Sequence, residues 1–175
     1  MRGDADAVYA HTLEVDCEAL GPMLARPGDP GNGVALADLA EAVPIHIAYL
    51  GSCTGGKRED LRRAYEAVRN AAAEGRRIPA SVAFYVQCGS EDVRRHAEAQ
   101  GWLAAFEAVG AVVLGSSCGA CINAGPGVSS APDQVTLSAI NRNFPGRSGP
   151  GQVWLASPAT VAASALAGYI VGADA

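Results

Sequence analysis

The amino-acid sequence predicts an α/β protein, a three-layer α/β/α sandwich on a mainly parallel sheet. Short β-branched and apolar runs alternate with stretches whose apolar side chains recur at helical spacing, the pattern of strands joined by crossover helices. The runs also end in glycine-rich turns, which suit tight strand-to-helix connections. At 175 residues the chain is expected to form one domain over residues 1–175, long enough to bury a core. Aromatic residues make up only 6% of it while glycine occurs 21 times, so close packing of small residues is expected.

Val8 to Val15 alternates loosely and reads as a first strand. Gly21 to Gly33 holds three prolines and four glycines and reads as a loop. Ile45-His-Ile-Ala-Tyr-Leu50, closed by Gly51, suits a buried strand. From Glu59 onward, Leu61, Ala64, Tyr65, Val68 and Ala72 form a helical stripe that Gly75 stops. Ser81-Val-Ala-Phe-Tyr-Val86 is the next strand, and Ser90 caps a helix with Glu91 and Asp92 in its first turn. That helix is expected to break near Gly101 and to resume through Val109 as far as Gly110. Ala111 to Leu114, Gln134 to Ser138 and Gln152 to Leu155 are further strands. Ser157-Pro158 opens a last helix with proline at its first position.

The formal charge is −5, which provides no electrostatic footprint for nucleic acid or an anionic membrane. The longest apolar stretch, Ala159 to Val171, is shorter than the ~20 residues of a spanning helix and is interrupted by Ser164 and Gly168. The start of the chain lacks an apolar leader core, and its five cysteines are an odd number. Reduced thiols in the cytoplasm are the expectation.

Chemistry concentrates in three motifs. Cys53 lies in Gly51-Ser-Cys-Thr-Gly-Gly-Lys57, and Cys118 and Cys121 lie in Ser117-Cys-Gly-Ala-Cys-Ile-Asn123. Both turns follow expected strands, outside whose carboxyl ends ligands gather in open α/β sheets. Three thiols on glycine-rich turns can hold an iron–sulfur cluster through three of its irons, leaving the fourth as an open Lewis acid. The first turn also has the spacing of a phosphate-binding loop. Arg58 stands where that signature needs Ser or Thr for magnesium, and neither Ser81–Val86 nor Ala111–Leu114 ends in the complementary Asp. Phosphate binding and a plain glycine turn stay open as alternatives. Cys118-x-x-Cys121 alone also suits a redox dithiol, half a zinc site or two buried thiols. His11, expected in a strand, His46 and His96 lack metal-ligand spacing to a cysteine and read as structural or surface residues, as do Cys17 and Cys88 as structural thiols. The third motif, Asn141-Arg-Asn-Phe-Pro-Gly-Arg147, offers Arg142 and Arg147 for bidentate carboxylate recognition, with surface ion pairing as the plainer reading.

Taken together with Leu155-Ala-Ser-Pro-Ala159, these motifs stand in the order and at the intervals of the aconitase superfamily. From about Val8 to Gly168 the chain resembles the third, cluster-binding domain of the large subunit of 3-isopropylmalate dehydratase and homoaconitase-type enzymes. The resemblance implies a hydro-lyase that isomerises a hydroxy di- or tricarboxylic acid, such as isopropylmalate, homocitrate or citrate, by dehydration and rehydration. It implies a [4Fe–4S] cluster on Cys53, Cys118 and Cys121. Arg142 and Arg147 match arginines that contact substrate carboxylates, and Asn141 matches a residue lining the cluster. Gly55 stands where the family usually has Asn, and Ser117 and Ala120 replace Gly and Pro of the second motif. Such enzymes carry further large-subunit domains and a swivelling domain that brings the serine base. The resemblance therefore implies partner chains for the missing domains and little turnover by this chain alone. A non-catalytic iron–sulfur or metal-sensing module on the same fold is the alternative, with a nucleotide binder at Gly51–Lys57 behind it.

Overall fold

A computed structural model describes residues 3–173. Its strands are β1 (Met23–Ala25), β2 (Gly33–Ala35), β3 (Ile47–Gly51), β4 (Ala83–Gln87), β5 (Val112–Leu114), β6 (Val135–Ser138) and β7 (Gln152–Leu155). Its α-helices are α1 (Ser52–Gly55), α2 (Arg58–Ala73), α3 (Glu91–Ala99), α4 (Trp102–Val109) and α5 (Pro158–Ala167). The strands form one sheet in the order β2-β1-β7-β6-β3-β4-β5. β7, β6, β3, β4 and β5 run parallel, and the β1–β2 hairpin joins antiparallel at the β7 edge. The α/β class and the mainly parallel sheet expected from the sequence are present.

The two faces of the sheet are covered unequally. Side chains alternate along a strand, so Ala48 and Leu50 of β3 share one face with their register partners Phe84 and Val86 of β4. These residues and Leu137 of β6 close on Leu61 and Val68 of α2, Phe106 of α4, and Val161 and Ala165 of α5 in one large core. The helices of this layer also pack on one another, α2 lying between α4 and α5. The opposite face carries Tyr49, Gln87, Thr136 and Ser138, all buried. Its cover is the loop between β5 and β6, whose 3-10 turn Gly119–Ile122 packs Ala120 and Cys121 on Tyr49 and Ile140.

Local signals account for the helix limits. Asp60 accepts the Lys57 backbone N–H at 3.0 Å ahead of α2, and Ser90 Oγ accepts the Val93 N–H at 3.3 Å at the start of α3. Ser157 Oγ accepts the Thr160 N–H at 3.2 Å ahead of α5, with Pro158 at the first position. Left-handed glycines at Gly101 (φ 73°) and Gly110 (φ 100°) bracket α4, so the break at Gly101 falls where the sequence placed it.

Two expectations are corrected. Val8–Val15 forms no strand: Val8 is 97% and Leu13 86% exposed, and no neighbouring strand supplies the hydrogen bonds that alternation alone cannot. His11 accordingly lies in irregular chain. Gly21–Gly33 is not all loop, because β1 lies inside it. Pro27, Gly28, Pro30 and Gly31 belong to the hairpin turn, closed where the Arg26 N–H donates to the Asn32 carbonyl (2.9 Å) and the Asn32 N–H to that of Asp29 (3.1 Å). Among the described residues, no helix is long and apolar enough to cross a membrane.

Candidate functional site

The carboxyl ends of β3, β5 and β6 deliver the three motifs to the same end of the parallel sheet. β3 ends at Gly51, whose φ of 131° suits glycine and whose Cα lies so near the Gln87 carbonyl that a Cβ would overlap it. Ser52 follows at φ 60°, a left-handed value that costs a non-glycine residue and often marks a functional turn. The short α1 then presents Cys53 to solvent. Behind it the Gly89 N–H donates to the Gly56 carbonyl at 2.8 Å, and a Cβ on Gly56 would meet the Gln87 carbonyl at 2.6 Å. Gly55 packs on Ala139, whose backbone fills the space a side chain would need. These glycines make a tight connection against β4 and Ala139.

Gln87, at the end of β4, ties the second cysteine turn to the first. Its Nε2 donates to the Gly115 carbonyl and to Ser117 Oγ, both at 2.8 Å, and its Oε1 accepts from the Tyr49 hydroxyl. The Gly115 carbonyl can only accept, which fixes the orientation of the amide. Ser117, where the family pattern has Gly, thereby supplies an acceptor that glycine lacks. A Cβ at Gly119 would overlap the Tyr49 hydroxyl, and one at Gly127 would overlap the Tyr49 ring. Burial pushes the Tyr49 phenol up from 10.0 to about 12. The Ala120 backbone hydrogen bond works against that rise, and the Cys121 and Cys118 thiols add to it. Ser148 Oγ donates to the Ala120 carbonyl at 2.7 Å. Cys118 is exposed and Cys121 is 6% exposed.

The arginine loop follows β6. Asn141 and Arg142 are exposed and Arg147 is half-buried. The ion pairs among the described residues use Arg58, Arg62, Arg63, Arg76, Arg94 and Arg95, so Arg142 and Arg147 are not consumed as surface pairs. Arg147 Nη2 donates to Cys121 Sγ at 3.3 Å. The two line a cleft of about 400 Å³ together with Asn123 and Phe144. Sequence reasoning passed over Asn143, which is buried and donates from Nδ2 to the carbonyls of Arg26 (2.8 Å) and Val153 (3.0 Å). It anchors the loop between the two arginines, and an Asn inside a turn of this kind was the available signal. Ser148 and Gln87 were passed over as well.

The remaining thiols and imidazoles stand apart. Cys88 is fully buried and burial pushes its thiol up. His46 Nδ1 accepts the Val135 N–H at 3.0 Å, and His96 sits edge-on to Trp102 at 5.3 Å. Cys17 and His11 are exposed. Among the described residues, no three His, Cys, Asp or Glu side chains converge on one metal ion. The thiol ligands of a cluster bind different irons, so they need not converge on a single point. Among the described residues six buried side-chain polar atoms lack a partner, and Ser52 Oγ, Thr54 Oγ1, Ser116 Oγ and Arg147 Nε among them flank the cysteine turns. Hydroxyl and guanidinium donors beside thiolates fit an iron–sulfur cluster, whose sulfurs accept hydrogen bonds.

The class defined by this geometry is an α/β domain in which Cys53, Cys118, Cys121 and two arginines outside any ion pair among the described residues lie on turns that follow the carboxyl ends of parallel strands. Within that class the chain belongs to the aconitase family: the profile of the Aconitase family (aconitate hydratase) matches residues 38–168. The chain is 42% identical over 172 residues to the 3-isopropylmalate dehydratase large subunit of Mycolicibacterium smegmatis, covering 97% of this chain and 39% of that protein. It is 37% identical over 170 residues to the same subunit of Campylobacter hominis, covering 95% and 39%. To the mitochondrial homoaconitase of Mycosarcoma maydis it is 38% identical over 175 residues, covering 98% and 23%. The chain thus spans about two fifths of the length of the dehydratase subunits.

Proposed function

We propose that this chain is the cluster-binding part of a [4Fe–4S] hydro-lyase, a single domain acting on a hydroxy di- or tricarboxylic acid of the isopropylmalate, homocitrate or citrate type. Cys53, Cys118 and Cys121 are the cluster ligands in this reading. The observation that carries it is the placement of Arg147 against Cys121 in one cleft, which sets a carboxylate-binding group beside a thiol ligand. The family membership and the unpartnered donors around the cysteine turns support it.

When bound, the cluster supplies an open iron that makes the substrate hydroxyl a better leaving group. The chain's own residues do the rest of the binding. Arg142, exposed and without an ion-pair partner among the described residues, engages one substrate carboxylate. Arg147, held by Asn143 through the loop and oriented by Cys121, engages a second. Asn141 lines the edge of the site. Ser52, Thr54 and Ser116, whose hydroxyls are buried without partners, would offer hydrogen bonds to the cluster sulfurs and so steady its charge.

In this proposal the base that moves the proton lies on partner chains, in keeping with two relatives being named large subunits. A small-subunit partner and the remaining domains complete the enzyme. All five cysteines are free, which suits the reducing cytoplasm. The test is a hydration assay on the reconstituted lone chain with isopropylmaleate and cis-aconitate. Negligible turnover is expected, together with a shift of the cluster's EPR signal when a tricarboxylate analogue binds. Rapid turnover by the lone chain would overturn the assignment of the base to partner chains. Cluster without any response to polycarboxylates would favour a sensing module.

A further inference from the structure

Beneath the Cys118–Cys121 turn runs a closed set of buried hydrogen bonds that the hydration chemistry does not itself use. Tyr49 is fully buried in β3, four residues before Cys53. Its hydroxyl donates to Gln87 Oε1, and its ring packs in one cluster with Ala120. Ala120 is a spacer between the two cysteines. Its carbonyl is taken by Ser148 Oγ at 2.7 Å, so the spacer is held by packing on Tyr49 and by one hydrogen bond. Gln87 spends both Nε2 protons on Gly115 and Ser117, just ahead of Cys118. Gln87 is also the register partner of Gly51, and its carbonyl packs against Gly51 and Gly56, which bracket Cys53. One residue thus touches the supports of both cysteine turns.

We propose that Tyr49 and Gln87 are positioning residues that set the Cys118–Cys121 turn relative to Cys53 before any cluster is bound. The proposal deepens the cluster reading and rests on it for its purpose. Its physical content is independent: an irregular glycine-rich loop has few apolar contacts to hold it, and here a buried phenol and amide replace them. Glycine at 119 and 127 is what lets the ring come so close to the turn. With both turns preset, cluster assembly need not bear the cost of ordering the loop.

Tyr49→Phe tests this directly, since it keeps the ring against Gly127 and removes only the hydroxyl, the atom that faces Gly119 and Gln87. In the metal-free chain, iodoacetamide alkylation of Cys121 is expected to rise about tenfold, the equivalent of about 1.4 kcal/mol of lost local closure. Alkylation of Cys88, buried under the helical layer, is expected to stay unchanged. After anaerobic reconstitution the variant is expected to show a broadened cluster EPR signal and lower iron content. Gln87→Leu is expected to show the same pattern more strongly; if it fails to fold, Tyr49→Phe decides. Equal acceleration at Cys121 and Cys88 would show a general loss of stability and overturn the proposal, as would an unchanged Cys121 rate. Should the parent chain take up no iron, the cluster reading falls, while the alkylation comparison still decides the positioning role.

Discussion

The helical face and the loop face of this sheet are built by different means. On the helical face Leu50, Leu61, Phe106 and Val161 are fully buried and apolar, and burial without directional bonds closes the layer. On the loop face Tyr49, Gln87, Thr136 and Ser138 are equally inaccessible to solvent but polar. There hydrogen bonds set positions, and the covering loop departs from regular structure at Asn123, Gly125 and Gly127, all with positive φ. The first face supplies stability that tolerates repacking. The second supplies placement, through the bonds that Tyr49 and Gln87 make beneath the cysteine turn.

Phe106→Ala, deep in the helical face, is expected to lower stability by about 3–5 kcal/mol, read from urea unfolding, with an unchanged denaturant slope. If the loss is under about 1 kcal/mol, the helical layer is not the main source of stability. Gly51→Ala strikes the junction of the two faces. A left-handed backbone and overlap with the Gln87 carbonyl are expected to cost about 2–4 kcal/mol and to impair iron loading beyond what that loss explains. A variant that loads iron normally would uncouple Cys53 from the packing of β3 on β4.

The smallest effect belongs to the solvent side of α2. Hydrogen bonds from Arg62 first and then Arg63, at 2.7 and 2.9 Å, hold the Glu59 carboxyl at about 2 against an ordinary 4.5. A carboxyl held below its unfolded value stabilises the fold above that value, and the contribution fades as pH falls through the folded one. Glu59→Gln is therefore expected to melt slightly below the parent chain at neutral pH, the difference disappearing between pH 4.5 and about 2. A difference that persists in acid would assign the effect to something other than these pairs.

The same division decides what the sequence made legible. β3, α2, α3 and α5 follow from β-branched runs, apolar stripes and caps such as Ser90 and Ser157, all local signals. Val8–Val15 misled because alternation makes a strand only beside a partner, and β1 was hidden by the glycines and prolines of its own hairpin turn. At the site, Cys53, Cys118, Cys121, Arg142 and Arg147 stood out by residue type and spacing. Tyr49 and Gln87 did not, because an aromatic residue inside an apolar run and a glutamine at a strand end read as ordinary strand residues. Their roles depend on each other, 38 residues apart in sequence, and on the loop that folds back across β3 and β4, where Gly115 lies 28 residues beyond Gln87.

The central claim, that Cys53, Cys118 and Cys121 hold one cluster, is tested most directly by anaerobic reconstitution of Cys53→Ser beside Cys88→Ser, reading bound iron and the visible absorbance of thiolate-ligated iron. The account predicts that Cys88→Ser loads like the parent chain while Cys53→Ser loses most of the chromophore. A Cys53→Ser chain with undiminished iron and absorbance would contradict it.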